Sequence, residues 1–139
     1  MILEGFTPYK KEDADKYKWL RWWPGMPFGD FLDKAANIYP DKEALVDGKK
    51  RFSYAQLKSK TDKLAIGFIE LGIKPLDRVL LQLPNWAEFV YTYFALQKVG
   101  AIPILLLAKH RQKYLTGSAM YRKMFTSIRI FQFLRWMSS

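Results

Sequence analysis

The chain has no cysteine. That excludes disulfides, thiolate metal sites and a cysteine nucleophile, and it fits a reducing compartment. A single histidine, His110, rules out a multi-histidine metal site within the chain. From Lys109 to Ser139 there is no acidic residue at all, against seven lysines and arginines. No internal repeat and no low-complexity segment is present. Long membrane-spanning runs are also missing: Phe89 to Leu107 comes nearest, but Lys98 sits in its middle and Gly100 and Pro103 interrupt it. Met1-Ile2-Leu3 runs into Glu4 without a basic start or a long apolar core, so no secretory signal is expected and a cytoplasmic location is.

What remains is a chain of 139 residues, 50% hydrophobic and 17% aromatic, long enough for one domain and too apolar to stay disordered. The net charge of +10 is unevenly spread: residues 1–108 hold 16 basic and 13 acidic side chains, and the excess belongs to the tail. Residues 1–108 offer no basic stripe interleaved with exposed aromatics, so no nucleic-acid partner is expected.

The organising stretch is Asp77 to Leu107, which reads as strand, helix, strand. Arg78 to Leu83 is a nearly continuous apolar run, the pattern of a strand covered on both faces, and Pro84 ends it. Asn85 and Glu88 have the spacing of a capping box for a helix running to Lys98, with Gly100 as its C-terminal stop. Ala101 to Leu107 is a second apolar run, and the three pieces make a βαβ crossover.

Upstream, residues 1–27 read as an aromatic N-terminal arm with a short helix over Asp13 to Trp19, its rings either covering the domain's flank or forming a ligand cage. Phe28, Phe31, Leu32, Ala35, Ala36 and Tyr39 recur at helical steps, giving one apolar face ended by Pro40. Asp47-Gly48 between two short strand-like runs predicts a hairpin. Ser53 and Gln56 form a second capping box, opening a helix whose core stripe is Leu57, Thr61, Leu64, Phe68 and Leu71. Lys58, Lys60, Asp62 and Lys63 are expected to face water, and Gly72 to close the helix.

Three motifs stand in order: Phe52-Ser53-Tyr54-Ala55-Gln56-Leu57, then Leu71-Gly72-Ile73-Lys74-Pro75-Leu76-Asp77-Arg78-Val79, then Leu96-Gln97-Lys98-Val99-Gly100-Ala101-Ile102-Pro103. Together they resemble the start of the adenylate-forming acid ligases, the superfamily of acyl-CoA synthetases and nonribosomal adenylation domains. Leu76 stands where the second motif usually has glycine. Gly5-Phe6-Thr7-Pro8, Gln82-Leu83-Pro84-Asn85 and His110-Arg111 look like the 2,3-dihydroxybenzoate–AMP ligase branch, with medium-chain fatty acid–CoA ligases still open.

The resemblance implies an α/β fold, specifically an incomplete N-terminal portion of the ligase large domain, with residues 28–111 as a partial subdomain. It implies a reaction of acid with ATP to acyl-AMP and pyrophosphate, then transfer to a thiol. ATP, Mg²⁺ and coenzyme A or a carrier pantetheine would serve full-length relatives; none is expected to bind this chain alone, since no phosphate loop or catalytic lysine is recognisable. His110 and Arg111, just past a strand's carboxyl end, are the candidate substrate-binding pair, because open α/β sheets place ligands there. No catalytic or metal-ligating residue is assigned.

Residues 112–139 turn basic and acid-free where the family pattern would continue. A frameshifted or truncated reading frame accounts for that, as does a natural variant with its own tail. Residues 119–137 read as a basic amphipathic helix able to lie on an anionic membrane surface or dock on a partner. The other expected partners are the missing remainder of the ligase, or a second copy covering apolar faces left open.

Overall fold

A computed structural model describes residues 7–107. Residues 112–139, with their expected amphipathic helix, lie outside the described residues, as do His110 and Arg111. The described chain is α/β. In order it forms α1 (Lys11–Trp19), α2 (Phe28–Ile38), β1 (Glu43–Asp47), β2 (Lys50–Ser53), α3 (Tyr54–Glu70), β3 (Arg78–Leu81), α4 (Ala87–Val99) and β4 (Ile102–Leu105).

The hairpin forms where Asp47-Gly48 predicts it. β1 and β2 pair antiparallel, with Asp47 opposite Lys50. Gly48 alone supplies the positive φ, +58°, that the two-residue turn needs. α3 then starts from a complete capping box. Ser53 Oγ accepts from the Gln56 amide at 3.3 Å, and Gln56 Oε1 accepts from the Ser53 amide at 2.9 Å. Leu57, Thr61, Leu64 and Phe68 of the expected stripe are buried, but Leu71, the C-terminal cap residue, is exposed. Neither Lys58 nor Asp62 faces water as expected; both are half-buried against α2 and α4.

β3 and β4 pair in parallel, Val79 opposite Pro103 and Leu81 opposite Leu105, with α4 as the crossover between them. The core lies on one side of this pair, where Val79 and Leu81 meet Leu64 and Phe68 of α3 and Ala95, Leu96 and Val99 of α4. The apolar run of β3 had suggested cover on both faces. Among the described residues only the Val79–Leu81 face is buried in the core; Leu80, Ile102 and Ile104, which alternate with it, are half-buried.

Two further expectations are corrected. The predicted apolar face of α2 is only partly covered: Leu32 and Ala36 are buried, whereas Phe28, Phe31 and Tyr39 are exposed. α1 buries none of its residues. The rings of the arm contact one another instead, Tyr17 with Trp22 and Trp23, and Tyr9 with Trp23.

Leu76 explains why a glycine is wanted in the second motif. Asp77 N–H donates to the Lys74 carbonyl at 3.1 Å, closing a four-residue turn with Pro75 second and Leu76 third. Leu76 takes a φ of +71°, a conformation that turns of this kind reserve for glycine. Its amide also donates to the Gly100 carbonyl at 2.8 Å, so the turn is held in place from the far end of α4. Leu76→Gly is therefore expected to stabilise the chain by about 0.5–1 kcal/mol, the relief of strain exceeding the added freedom of the unfolded state. Chemical denaturation of the two proteins checks this; a less stable glycine variant would show that the side chain's packing outweighs its strain.

Candidate functional site

In an open parallel sheet the place to look for chemistry is the crevice beyond the strands' carboxyl ends. Here that end is formed by residues 82–86, the first turn of α4 and the residues leaving β4. Leu106 N–H donates to the Leu81 carbonyl at 3.0 Å, and the Gln82 amide group donates to the Leu107 carbonyl at 3.0 Å. The two strand ends are thus tied together to the last described residue. The candidate pair His110 and Arg111 follows three and four positions later, outside the described residues.

The start of α4 is not built as the sequence suggests. The helix begins at Ala87, Trp86 is its cap residue, and no side chain of the local segment caps it, so the Asn85–Glu88 box does not form. The cap comes from forty residues away. Asp47 Oδ2, at the end of β1, accepts from the Ala87 amide at 3.0 Å, putting a carboxylate on the positive end of the helix. Glu88 is free to pair elsewhere: Lys50 of the hairpin approaches it at 3.3 Å. Tyr91, one turn on, is pushed up to about 12, first by burial and then by the charge and hydrogen bond of Glu88. It keeps its proton, so its O–H donates a hydrogen bond to the Glu88 carboxylate.

A second polar cluster lies where α2, α3 and α4 meet. Lys98 ion-pairs with Asp33 at 2.5 Å and with Asp62. Lys58 reaches Asp62 at 2.5 Å and Asp33 at 3.4 Å. Burial disfavours the Asp62 carboxylate, but hydrogen bonds from Lys58 and Lys98 outweigh it and hold the group below its ordinary value of 3.8. Lys58 is raised, chiefly by its hydrogen bond to Asp62. A depressed carboxylate adds stability that is full above its unfolded value and is lost as pH falls through the folded one. Unfolding followed below about pH 4 should show the chain losing stability more steeply than an Asp62→Asn variant. Parallel acid limbs would mean that the Asp62 pairs contribute nothing.

Both clusters are taken up by pairings within the chain. The carboxylates of Asp33 and Asp62 already hold two lysines, and among the described residues no group of three acidic or histidine side chains could hold a metal ion. The described residues therefore do not fit a Mg²⁺ site. Lys98, inside the third motif, works as a clamp between helices. The sequence gives no sign of that role, because Asp33 and Asp62 stand on separate helices 65 and 36 residues away.

These features describe part of an open α/β domain: a βαβ unit, a hairpin whose Asp47 caps α4, and a helical cover. Residues 32–117 match the family of AMP-binding enzymes, and the chain belongs to that family. It is 43% identical over 115 residues to the 2,3-dihydroxybenzoate-AMP ligase of Bacillus subtilis, covering 83% of this chain and 21% of that one. It is 45% identical over 111 residues to triostin synthetase I of Streptomyces triostinicus, covering 80% and 21%. Among solved structures, the apo structure of Mycobacterium smegmatis MbtA superposes with a TM-score of 0.75 at 38% identity, over 82% of this chain and 23% of that one. The chain thus spans about a fifth of the length of the curated relatives it matches. No helix among the described residues is long and apolar enough to cross a membrane.

Proposed function

We propose that this chain is the N-terminal scaffold of an ATP-dependent acid ligase of the aryl-acid branch, inactive alone. The observation that carries the reading is the match over residues 32–117, together with relatives named for activating 2,3-dihydroxybenzoate and salicylate. In the proposed reaction a carboxylate oxygen attacks the α-phosphorus of ATP, and the bond to the departing pyrophosphate breaks. A thiol, of coenzyme A or a carrier pantetheine, then attacks the acyl carbonyl and AMP leaves. The charge gathering on the phosphates calls for preorganised cations and amide groups, and the two lysines that converge among the described residues, Lys58 and Lys98, are already held by Asp33 and Asp62. The contribution of this chain is accordingly geometric: it fixes the β3 and β4 ends and the start of α4. His110 and Arg111, five and six positions after the last residue of β4 in the sequence, remain its proposed contacts to the acid.

A continuous chimera tests this. Residues 1–111 replace the matching segment of the Bacillus subtilis relative, and acid-dependent pyrophosphate release is measured. Activity within about tenfold of the parent is expected, because a scaffold misplaced by an ångström costs about a hundredfold. Loss of activity in a folded chimera would overturn the scaffold reading. His110→Ala in the same chimera should raise the KM for the acid with little change in kcat, since it would remove binding shared by ground and transition states.

A further inference from the structure

Four rings of the N-terminal arm are gathered at the surface, and a strained residue gathers them. α1 ends at Trp19, and two hydrogen bonds close the turn that follows. Arg21 N–H donates to the Lys18 carbonyl at 3.0 Å, and Trp22 N–H donates to the Tyr17 carbonyl at 3.0 Å. This closure favours glycine in its left-handed position, yet Arg21 holds that position with a φ of +58°. The turn folds Trp22 and Trp23 back onto the helix. Tyr17 stacks on Trp22 at 5.6 Å between ring centroids and meets Trp23 at 5.1 Å; Tyr9 meets Trp23 edge-on at 5.0 Å. The rings nevertheless stand outside the core. α1 buries none of its residues, Trp19 is 81% exposed, Trp22 65% and Tyr9 64%. A contiguous exposed patch of this kind marks a binding surface.

The charge around the rings says what fits them. Residues 16–23 read Lys-Tyr-Lys-Trp-Leu-Arg-Trp-Trp; Lys16, Lys18 and Arg21 are all exposed, and no acidic residue stands among them. Glu12, Asp13 and Asp15 lie nearer the start of α1. Indole and phenol rings settle at the boundary between headgroups and hydrocarbon, where an apolar body meets a polar edge. Lysine and arginine beside them pair with anionic headgroups. The bases of a nucleic acid fit less well, because they need free ring faces, and Tyr17 and Trp22 turn faces on each other. A second copy of the chain would set these cations against its own.

We infer that residues 16–23, the end of α1 and the turn after it, form a docking surface for an anionic membrane. The chain lies on the surface through this patch, with Trp19 and Trp22 at the headgroup boundary and Lys16, Lys18 and Arg21 among the lipid phosphates. The contact is peripheral. It stands apart from the ligase reading, and either can fail without the other.

The test uses the full 139-residue chain. With Trp86→Phe and Trp136→Phe it keeps tryptophan only in the arm, at Trp19, Trp22 and Trp23. Vesicles of phosphatidylserine and phosphatidylcholine should shift that emission to the blue, and brominated lipid in the same vesicles should quench most of it. Vesicles of phosphatidylcholine alone should bind about tenfold more weakly. In co-sedimentation of the chain with its other tryptophans restored, Trp19→Ala together with Trp22→Ala should weaken binding about tenfold. Arg21→Gly keeps the left-handed turn and removes one cation, so it should weaken binding about fivefold. If the double alanine chain loses its helical circular dichroism, quenching of the arm tryptophans decides instead. Sedimentation with vesicles while the arm emission stays unshifted and unquenched overturns the proposal, because another part of the chain then makes the contact. So does an arm emission that responds to a single-stranded oligonucleotide, or to raised protein concentration, and not to the vesicles.

Discussion

Lys98→Met is expected to destabilise the chain by about 2 kcal/mol, read as a fall in melting temperature of about 10 °C. Methionine keeps the long unbranched stem, so the loss isolates the charge. The ammonium sits in a largely covered position, 13% exposed, between Asp33 and Asp62. Without it two carboxylates from different helices share Lys58 alone, and their mutual repulsion acts across the α2–α3–α4 junction. The figure is set below the roughly 3–5 kcal/mol of a fully buried pair, because both carboxylates keep contact with water. Asp62→Asn in the Lys98→Met background should cost less than the two single changes summed, as expected for side chains in one network. A Lys98→Met protein as stable as the parent would place the cluster with surface ion pairs that contribute nothing measurable.

The same cluster shows where sequence reasoning stops. Signals confined to a few neighbouring residues were legible. Ser53 and Gln56 satisfy each other's backbone across three positions, Gly48 supplies a hairpin turn, and Gly100 ends α4 in the left-handed conformation. Leu76 was legible as a departure from a motif, and its φ gives the physical reason the motif prefers glycine. Signals that join distant segments were not. The cap of α4 comes from Asp47 on the hairpin, and the nearby Asn85 and Glu88, though correctly spaced, lose to it. Lys58 and Asp62 look like a solvated i,i+4 pair until α2 and α4 bring Asp33 and Lys98 alongside. Apolar periodicity overstated burial for a related reason. Phe28, Phe31 and Leu71 have the right spacing, but spacing does not say whether another element arrives to cover them. The family itself was readable from three motifs, while the proposed acid contacts His110 and Arg111 stand beyond the residues whose geometry is described.

Gly29→Ala should also destabilise, by about 2 kcal/mol, and its sign makes it diagnostic. Gly29 lies in the first turn of α2 with ordinary helical backbone, where alanine would by itself gain up to about 1 kcal/mol. Packing reverses that preference. A Cβ built on Gly29 would lie 2.8 Å from the Lys98 Cγ and 3.2 Å from both the Lys98 Cα and its amide nitrogen. The side-chain contact could be relieved by another lysine rotamer, at the expense of the ion pairs with Asp33 and Asp62. The backbone contacts cannot be relieved without moving α2 away from α4. Since Leu32 and Ala36 are buried on the same helix, that shift would open space beside them. Lys98→Ala in the Gly29→Ala background removes the Cγ contact but leaves the backbone ones, so it should recover little. Denaturant melts of the three proteins carry the test. A Gly29→Ala chain as stable as the parent would mean that α2 moves off α4 at no cost, and that Lys98 does not hold the two helices in register.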